Sequence, residues 1–254
     1  MNDYQNKINT DYIYGIHPVI EAVNSGKVIE RLYVQQDLRN PQIKELLSIT
    51  KQMDIPVILV PGAKLNRITR KNHQGVICYL SPVEYHDLKN VVQSAFESGE
   101  DPLVVMLDRV TDVRNFGSIC RTAECMGAHA VLVPQRGGAM VNSDAIKASS
   151  GAINRMPICR EHNLKNSLSY LKDSGLTIIS CTEKSSKNSF DIDLTGPLVL
   201  IMGSEQDGVS QEYIKLSEHS LKIPMEGDIA SLNVSVATGM FLYEIQRQRL
   251  QNKN

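Results

Sequence analysis

"LVVMLDRVTDVRNFGSICRTAECMG", residues 103–127, decides the fold class. Its opening run is apolar without alternation and ends at Asp108, as in a strand covered on both faces of a parallel sheet. The polar loop after it leads into a helix predicted over 116–126, with Asn115 placed to cap it and Gly127 to end it. The same alternation continues downstream. Strands are predicted at 129–134, 176–182, 197–203 and 220–225, and helices at 142–150, 163–174, 209–217 and 232–250. This is an α/β layer pattern, whose ligands bind at the carboxyl ends of the strands.

Upstream, the pattern is smaller in scale. Short β-rich runs at 28–34, 55–60 and 74–80 alternate with helical spacing at 17–26, 40–53 and 62–71. Pro18 and Pro41 fall where helices begin, and Gly26 where one ends. The reading is a small α/β domain over 1–83, a polar joint over 84–100 leading into "ESGEDP", and a larger α/β domain over 101–254.

Composition narrows the class. With 254 residues, 42 % apolar and 22 % charged, the chain reads as soluble and globular. No apolar run nears the ~20 residues of a membrane span. The start, "MNDYQNKINTDYIYG", lacks the basic-then-apolar order of a secretory signal. Five cysteines form no C-x-x-C pair, which predicts free thiols in a reducing cytoplasm and no structural zinc. Net charge is −1, yet residues 55–83 hold no acid while Lys64, Arg67, Arg70 and Lys71 crowd together. Such a cluster suits RNA phosphates; the alternative is an ordinary solvated helix face.

Several chemistries are excluded by motif. There is no G-x-G-x-x-G, no Walker lysine, no H-E-x-x-H and no G-x-S-x-G. No metal site is predicted, and none of the six histidines is given a role.

What remains is a strand running into a small, polar segment, three times over. In the first, Gly117 and Ser118 share a helix face with Arg121, leaving room for a substrate beside the guanidinium; the plainer reading pairs Arg121 with a carboxylate. In the second, "LVLIMGSEQDG", Gly203 and Gly208 free the backbone around Glu205 and Asp207 so that an adenine or ribose can lie against bare main chain; otherwise it is a turn with solvated acids. In the third, "LKIPMEGDIASLNVS", the apolar Leu232 stands in a polar loop, as if something flat packs on it. Ser231 or Asn233 there can cap the following helix.

Taken in order, these segments resemble the three motifs of the SpoU-type RNA 2′-O-ribose methyltransferases of the SPOUT superfamily. Asn115, Gly117, Ser118, Arg121, Thr122 and Ala123 meet the first, N-x-G-S/A-x-x-R-S/T-A. Met202, Gly203, Glu205 and Gly208 meet the second; Ile223, Pro224, Met225 and Ser231 to Ser235 meet the third. "YGIHPVIEAV" and "NHQGV" resemble the L30e-like substrate-binding domain of the branch that methylates a guanosine of 23S rRNA.

The resemblance implies a parallel-sheet α/β methyltransferase domain closed by a trefoil knot, behind the L30e-like domain. It implies S-adenosylmethionine bound by Thr182, Met202, Gly203, Ile223, Met225 and Leu232. It also implies a homodimer formed through the catalytic domain, and catalytic roles for Arg121, Asn115, Glu205, Ser231 and Asn233. The family model has the arginine remove the 2′-hydroxyl proton. A guanidinium with a pKa above about 12 is a poor base, so a phosphate clamp that steadies the developing alkoxide is the other reading. Glu205 then holds the Arg121 fork, and Ser231 and Asn233 orient the hydroxyl or relay its proton. The terminal helix, with Val234, Ala237, Phe241 and Ile245 on one stripe, suits a partner as well as a core. Alternatives are a tRNA guanosine as substrate, a non-catalytic rRNA-binding assembly protein that kept the fold, and a nucleotide-binding flavodoxin-like module.

Overall fold

Two sheets organise the chain, one in each of two units that divide at Glu84 and Tyr85, with 141–143 grouped in the first. The computed structural model describes residues 12–229 and 231–252; the reading of the first eleven residues as signal-free lies outside them.

The first unit holds β1 (Tyr12–Tyr14), α1 (Ile16–Asn24), β2 (Ile29–Gln35), α2 (Pro41–Gln52), β3 (Val57–Val60), α3 (Gly62–Ile68) and β4 (Val76–Leu80). Its sheet has the order β1-β4-β2-β3; β4 runs antiparallel to both neighbours, and β2 and β3 are parallel. Asn40 caps α2 by accepting from Ile43 N at 2.8 Å, with Pro41 at the first helical position. The amphipathic faces of α1 and α2 bury Val19, Val23, Ile43 and Leu46 against Leu32 and Val34.

The second unit holds α4 (Leu88–Glu97), β5 (Leu103–Leu107), α5 (Val113–Cys125), β6 (Ala130–Pro134), α6 (Ser143–Ala148), β7 (Ile158–Glu161), α7 (Leu164–Asp173), β8 (Thr177–Cys181), β9 (Lys187–Asn188), β10 (Leu198–Met202), α8 (Gln211–Ile214), β11 (His219–Lys222) and α9 (Val234–Gln251). Its seven strands are all parallel, in the order β7-β6-β5-β10-β8-β11-β9. β5 and β10 are buried at every residue, which is why they read as unbroken apolar runs.

Two expectations are corrected. The segment 84–100, read as a polar joint, contains α4, whose Leu88 and Val92 are 2 % and 1 % exposed in the core of the second unit. Asp87 caps it by accepting from Asn90 N. The helix read over 116–126 begins at Val113, and its cap is Asp112, which accepts from Arg114 N and Asn115 N. Asn115 therefore lies inside the first turn, its side chain free for other work.

Candidate active site

Register assembles the site. Met202 at the end of β10 pairs with Leu107 of β5 and with Cys181 of β8, and Cys181 in turn pairs with Leu221 of β11. Four parallel strands thus stop at one level. The loops beginning at Asp108, Thr182, Gly203 and Ile223 open side by side, at the position where α/β sheets bind ligands.

One of these junctions is locked by a carboxylate. Asp108, 3 % exposed, accepts from Ser210 N at 2.6 Å, from Ser210 Oγ and from the Arg109 guanidinium. Arg109 also donates to Asp207 and to Gly208 O, so the loop after β10 is pinned to the end of β5. The hydrogen bond from Arg109 to Asp108, partly opposed by burial and reinforced by nearby charge, raises the arginine above its usual pKa. This lock was not read from the sequence: its partners are 102 residues apart, and no local motif marks them.

Gly203 is explained by the same loop. A Cβ there would overlap the backbone of Gly208 and Val209, and Gly208 itself has φ +67°. The returning main chain fills the side on which a Cβ would stand, while the backbone of Gly203 and Gly208 lines the cavity that these loops enclose. Gly117 is similar: a Cβ would stand 2.7 Å from Ala145 O and from Ala148 Cβ, so its smallness serves the approach of α6, not a substrate.

The loops enclose a cavity of about 510 Å³, lined by Thr182, Gly203, Glu205, Ile223, Met225, Ser231 and Leu232 among others. Leu232 and Met225 present apolar surface to it, each 38 % exposed. The volume falls in the ~300–1,000 Å³ range of small-molecule sites. Met202 does not line it; it is 3 % exposed, at the end of a buried strand, with its carbonyl accepting from Asp108 N.

A second cavity of about 450 Å³ is lined by Arg109, Asp112 and Asn115. It shares Ser204 to Asp207 and Val234 with the first, so the loop carrying Glu205 stands between them.

At this wall the three strand ends meet in one hydrogen-bonded set. Glu205 Oε1 accepts from Asn115 Nδ2 at 2.8 Å and from Asn233 Nδ2 at 2.7 Å, and Asn233 Nδ2 also reaches Asn115 Oδ1 at 3.0 Å. An ionised carboxylate only accepts, which fixes both amides with their nitrogens toward it. Asn233 Oδ1 faces the other way and caps α9, accepting from Ser235 N and Ser235 Oγ.

Arg121 is not part of that set. It lies six residues beyond Asn115, roughly 9 Å further along α5, and is exposed. Among the described residues nothing pairs with it: neither Glu205, expected to hold its fork, nor another carboxylate. Ser231 is exposed on the first cavity, and its hydroxyl likewise has no partner among the described residues.

Lys64 and Arg67 lie on α3 of the first unit and Arg70 and Lys71 on the loop after it, all exposed. Lys64 Nζ stands 5.0 Å from the centroid of Tyr33, and Lys71 Nζ 5.6 Å from that of Tyr14.

On α9, Val234, Phe241 and Ile245 are buried within the chain and Ala237 is half-buried, so of the two uses open to that stripe, partner or core, it serves as core. A different stripe, Val236, Met240 and Tyr243, is 46–62 % exposed. No helix among the described residues is long and apolar enough to cross a membrane, and they contain no group of three potential metal ligands.

Comparison with known proteins matches both halves. Residues 102–243 match the SpoU rRNA Methylase family, and residues 12–86 match the RNA 2′-O ribose methyltransferase substrate binding family. The chain is 33 % identical over 240 residues to the Bacillus subtilis (strain 168) protein named "Putative TrmH family tRNA/rRNA methyltransferase YacO", covering 94 % of this chain and 96 % of that one. Among solved structures, the SpoU methyltransferase AviRb of Streptomyces viridochromogenes, in complex with AdoMet, aligns with a TM-score of 0.60 at 26 % identity, covering 94 % and 90 % of the two chains. The A. aeolicus TrmH/SpoU tRNA modifying enzyme aligns with a TM-score of 0.56 at 33 % identity, covering 65 % of this chain and 86 % of that one.

Proposed function

Because the chain belongs to the SpoU rRNA methylase family, and is thereby an S-adenosylmethionine-dependent RNA methyltransferase, we propose that it methylates the ribose 2′-hydroxyl of a guanosine in 23S rRNA. The observation that carries this reading is the wall between the two cavities. Glu205, Asn115 and Asn233 close it by hydrogen bonds, with a cofactor-sized cavity on one side and a cavity lined by Arg109, Asp112 and Asn115 on the other. Methyl donor and acceptor need such a shared boundary.

The first cavity fits S-adenosylmethionine. Leu232, Ile223 and Met225 offer apolar surface to a purine, and the loops at Thr182 and Gly203 offer main-chain polar groups. The cofactor supplies an electrophilic methyl group on sulfur. In the family this site lies in the trefoil knot, which we take as the fold of the C-terminal loops here.

The chain's own residues then position and polarise the nucleophile. All the guanidinium donors of Arg121 are uncommitted, so it can grip a phosphate beside the target and hold the hydroxyl as negative charge develops on its oxygen. To Ser231, whose hydroxyl is also uncommitted and which is exposed on the first cavity, we assign passing the departing proton on to solvent. Asn233 orients rather than relays, because its oxygen is occupied by the α9 cap.

We assign the first unit to RNA recognition, with Lys64, Arg67, Arg70 and Lys71 on phosphates. Five free cysteines, four of them buried, support a cytoplasmic setting. The exposed α9 stripe supports a homodimer through the second unit, and sedimentation of Met240→Glu as a dimer would sink that assignment.

Mapping 2′-O-methyl groups in the rRNA and tRNA of a deletion strain tests the substrate. One lost methyl on a 23S rRNA guanosine is expected. A lost tRNA methyl would instead favour the second reading, which the tRNA modifying enzyme among the structural relatives supports. A full set of methyls, with cofactor binding intact, would favour a non-catalytic assembly protein.

A further inference from the structure

The four-stranded sheet of the first unit is dressed unequally. One face is sealed by α1 and α2. The other carries α3, whose Leu65 packs on Tyr33, Val60 and Ile77; Ile58 and Ile68 adjoin them, and Tyr12, Tyr14 and Tyr79 make the remainder of that cluster aromatic. Register places Tyr12 opposite Tyr79, and Tyr14 and Tyr33 on either side of Ile77. Ring centroids lie 5.5 Å apart for Tyr12 and Tyr79, 6.1 Å for Tyr33 and Tyr79, and 6.3 Å for Tyr12 and Tyr14. Tyr12, Tyr14 and Tyr79 are only half-buried. The ammonium groups of Lys64 and Lys71 stand over this cluster, and no acid occurs from Ile55 to Val83.

We infer that this sheet face is a stacking platform for unpaired bases of the RNA, with Lys64, Arg67, Arg70 and Lys71 on the flanking phosphates. The inference rests on RNA being the substrate. Every base has a π-face, so adjoining tyrosine rings accept a strand without reading its sequence. Lys71 stands over the half-buried ring of Tyr14 and is weakly held there, so an arriving base displaces it and its charge turns to the phosphate. Duplex RNA does not suit the surface, because its bases are already stacked on one another. A second copy of this chain does not suit it either, since it would bring the same cations against themselves.

The test uses the full-length chain and a single-stranded oligoribonucleotide carrying 2-aminopurine, with a hairpin of equal charge as control. Tyr12→Leu and Tyr14→Leu should each weaken oligonucleotide binding about tenfold. Tyr12→Phe and Tyr14→Phe should bind like the parent, because the ring stacks and the hydroxyl does not. Lys64→Gln should instead lower the salt dependence, by about 0.7 in log–log slope. An unchanged far-ultraviolet dichroism spectrum and melting profile of the full chain, set against those of the fragment 85–254, reports that the first unit of each variant is folded. Should a leucine variant unfold, 2-aminopurine quenching by the parent chain, seen with the strand and not with the hairpin, decides the same point. Leucine variants that bind normally, phenylalanine variants as weak as leucine, or equal quenching with hairpin and strand would each overturn the platform. Methyl transfer by the parent chain is measured alongside. Transfer with ring-independent binding removes the platform and leaves the enzymatic reading. Ring-dependent binding without transfer to any RNA does the reverse.

Discussion

The amide nitrogen of Asn233 lies 2.7 Å from Glu205 Oε1, while the oxygen of the same amide caps α9. One side chain serves as helix cap and as a corner of the site. Asn233→Asp separates the two tasks: aspartate caps as well as asparagine but sets a second carboxylate against Glu205. Thermal stability within about 1 kcal/mol of the parent is expected, with methyl transfer reduced at least tenfold. Normal turnover would show the donor to be dispensable.

Arg121→Ala should abolish methyl transfer to RNA and leave S-adenosylmethionine affinity within a few fold, since Arg121 does not line the first cavity, to which we assign the cofactor. Arg121→Lys should also be poor, because a point charge does not reproduce a planar fork. Labelled-methyl transfer and calorimetry on the same samples check both. Substantial turnover in the alanine variant would end the assignment.

Leu232→Asp puts an unpaired carboxylate among the apolar lining of the first cavity, to which we assign the cofactor and where desolvation is costly. Calorimetry should find S-adenosylmethionine binding lost or weakened by more than about tenfold, a penalty of at least roughly 1.4 kcal/mol. Unchanged affinity would place the cofactor elsewhere.

A fragment of residues 85–254 should fold and bind cofactor yet lose activity on its natural RNA. A fragment starting at residue 100 lacks α4, so Leu88 and Val92 no longer cover the core of the second unit. At about 1.5–3 kcal/mol per buried side chain, it should be some 3–6 kcal/mol less stable. Equal melting midpoints would show that α4 is an appendage, and full activity of the longer fragment would show that the first unit is not the RNA address.

Glu218 ties β11 to β8, accepting from Ile178 N at 2.7 Å and pairing with Lys172 at 2.7 Å. Burial pushes its pKa up, but Lys172 and the backbone donors outweigh that and hold it below the usual glutamate range. A depressed carboxylate stabilises the fold above its unfolded pKa of ~4.3 and loses that contribution as the pH falls through the folded value. The parent should therefore melt above Glu218→Gln at pH 7, with the gap closing in acid. A gap that widens on acidification would reverse the sign.

The sheet of the second unit was legible because its central strands are apolar throughout. The shortest and outermost strands were not. β7, with Arg160 and Glu161, and the two-residue β9 carry too few apolar positions to stand out, and β1 occupies three residues beside a polar start. α4 was hidden by its polar flanks, although Leu88, Val92 and Ala95 recur at helical spacing. At the site, the motif order pointed to Gly203, Ile223, Ser231 and Leu232, and the end of the strand read over 176–182 to Thr182; all line one cavity. The role of Asp108 was invisible, because its partners are joined by folding and not by proximity in sequence.

Asn115, Glu205 and Asn233 are 90, 118 and 28 residues apart in pairs. Nothing local holds the wall between the cavities together; it closes only after the long-range pairings of the sheet are made and α9 has wound its first turn. During synthesis, a chain still short of residue 233 has β5 and β10 in hand but no third corner. A chain arrested at any earlier step, or misfolded at any one of the three strand ends, therefore lacks the closed wall. The hydrogen bonds that join the three strand ends are thus among the last contacts the fold can make.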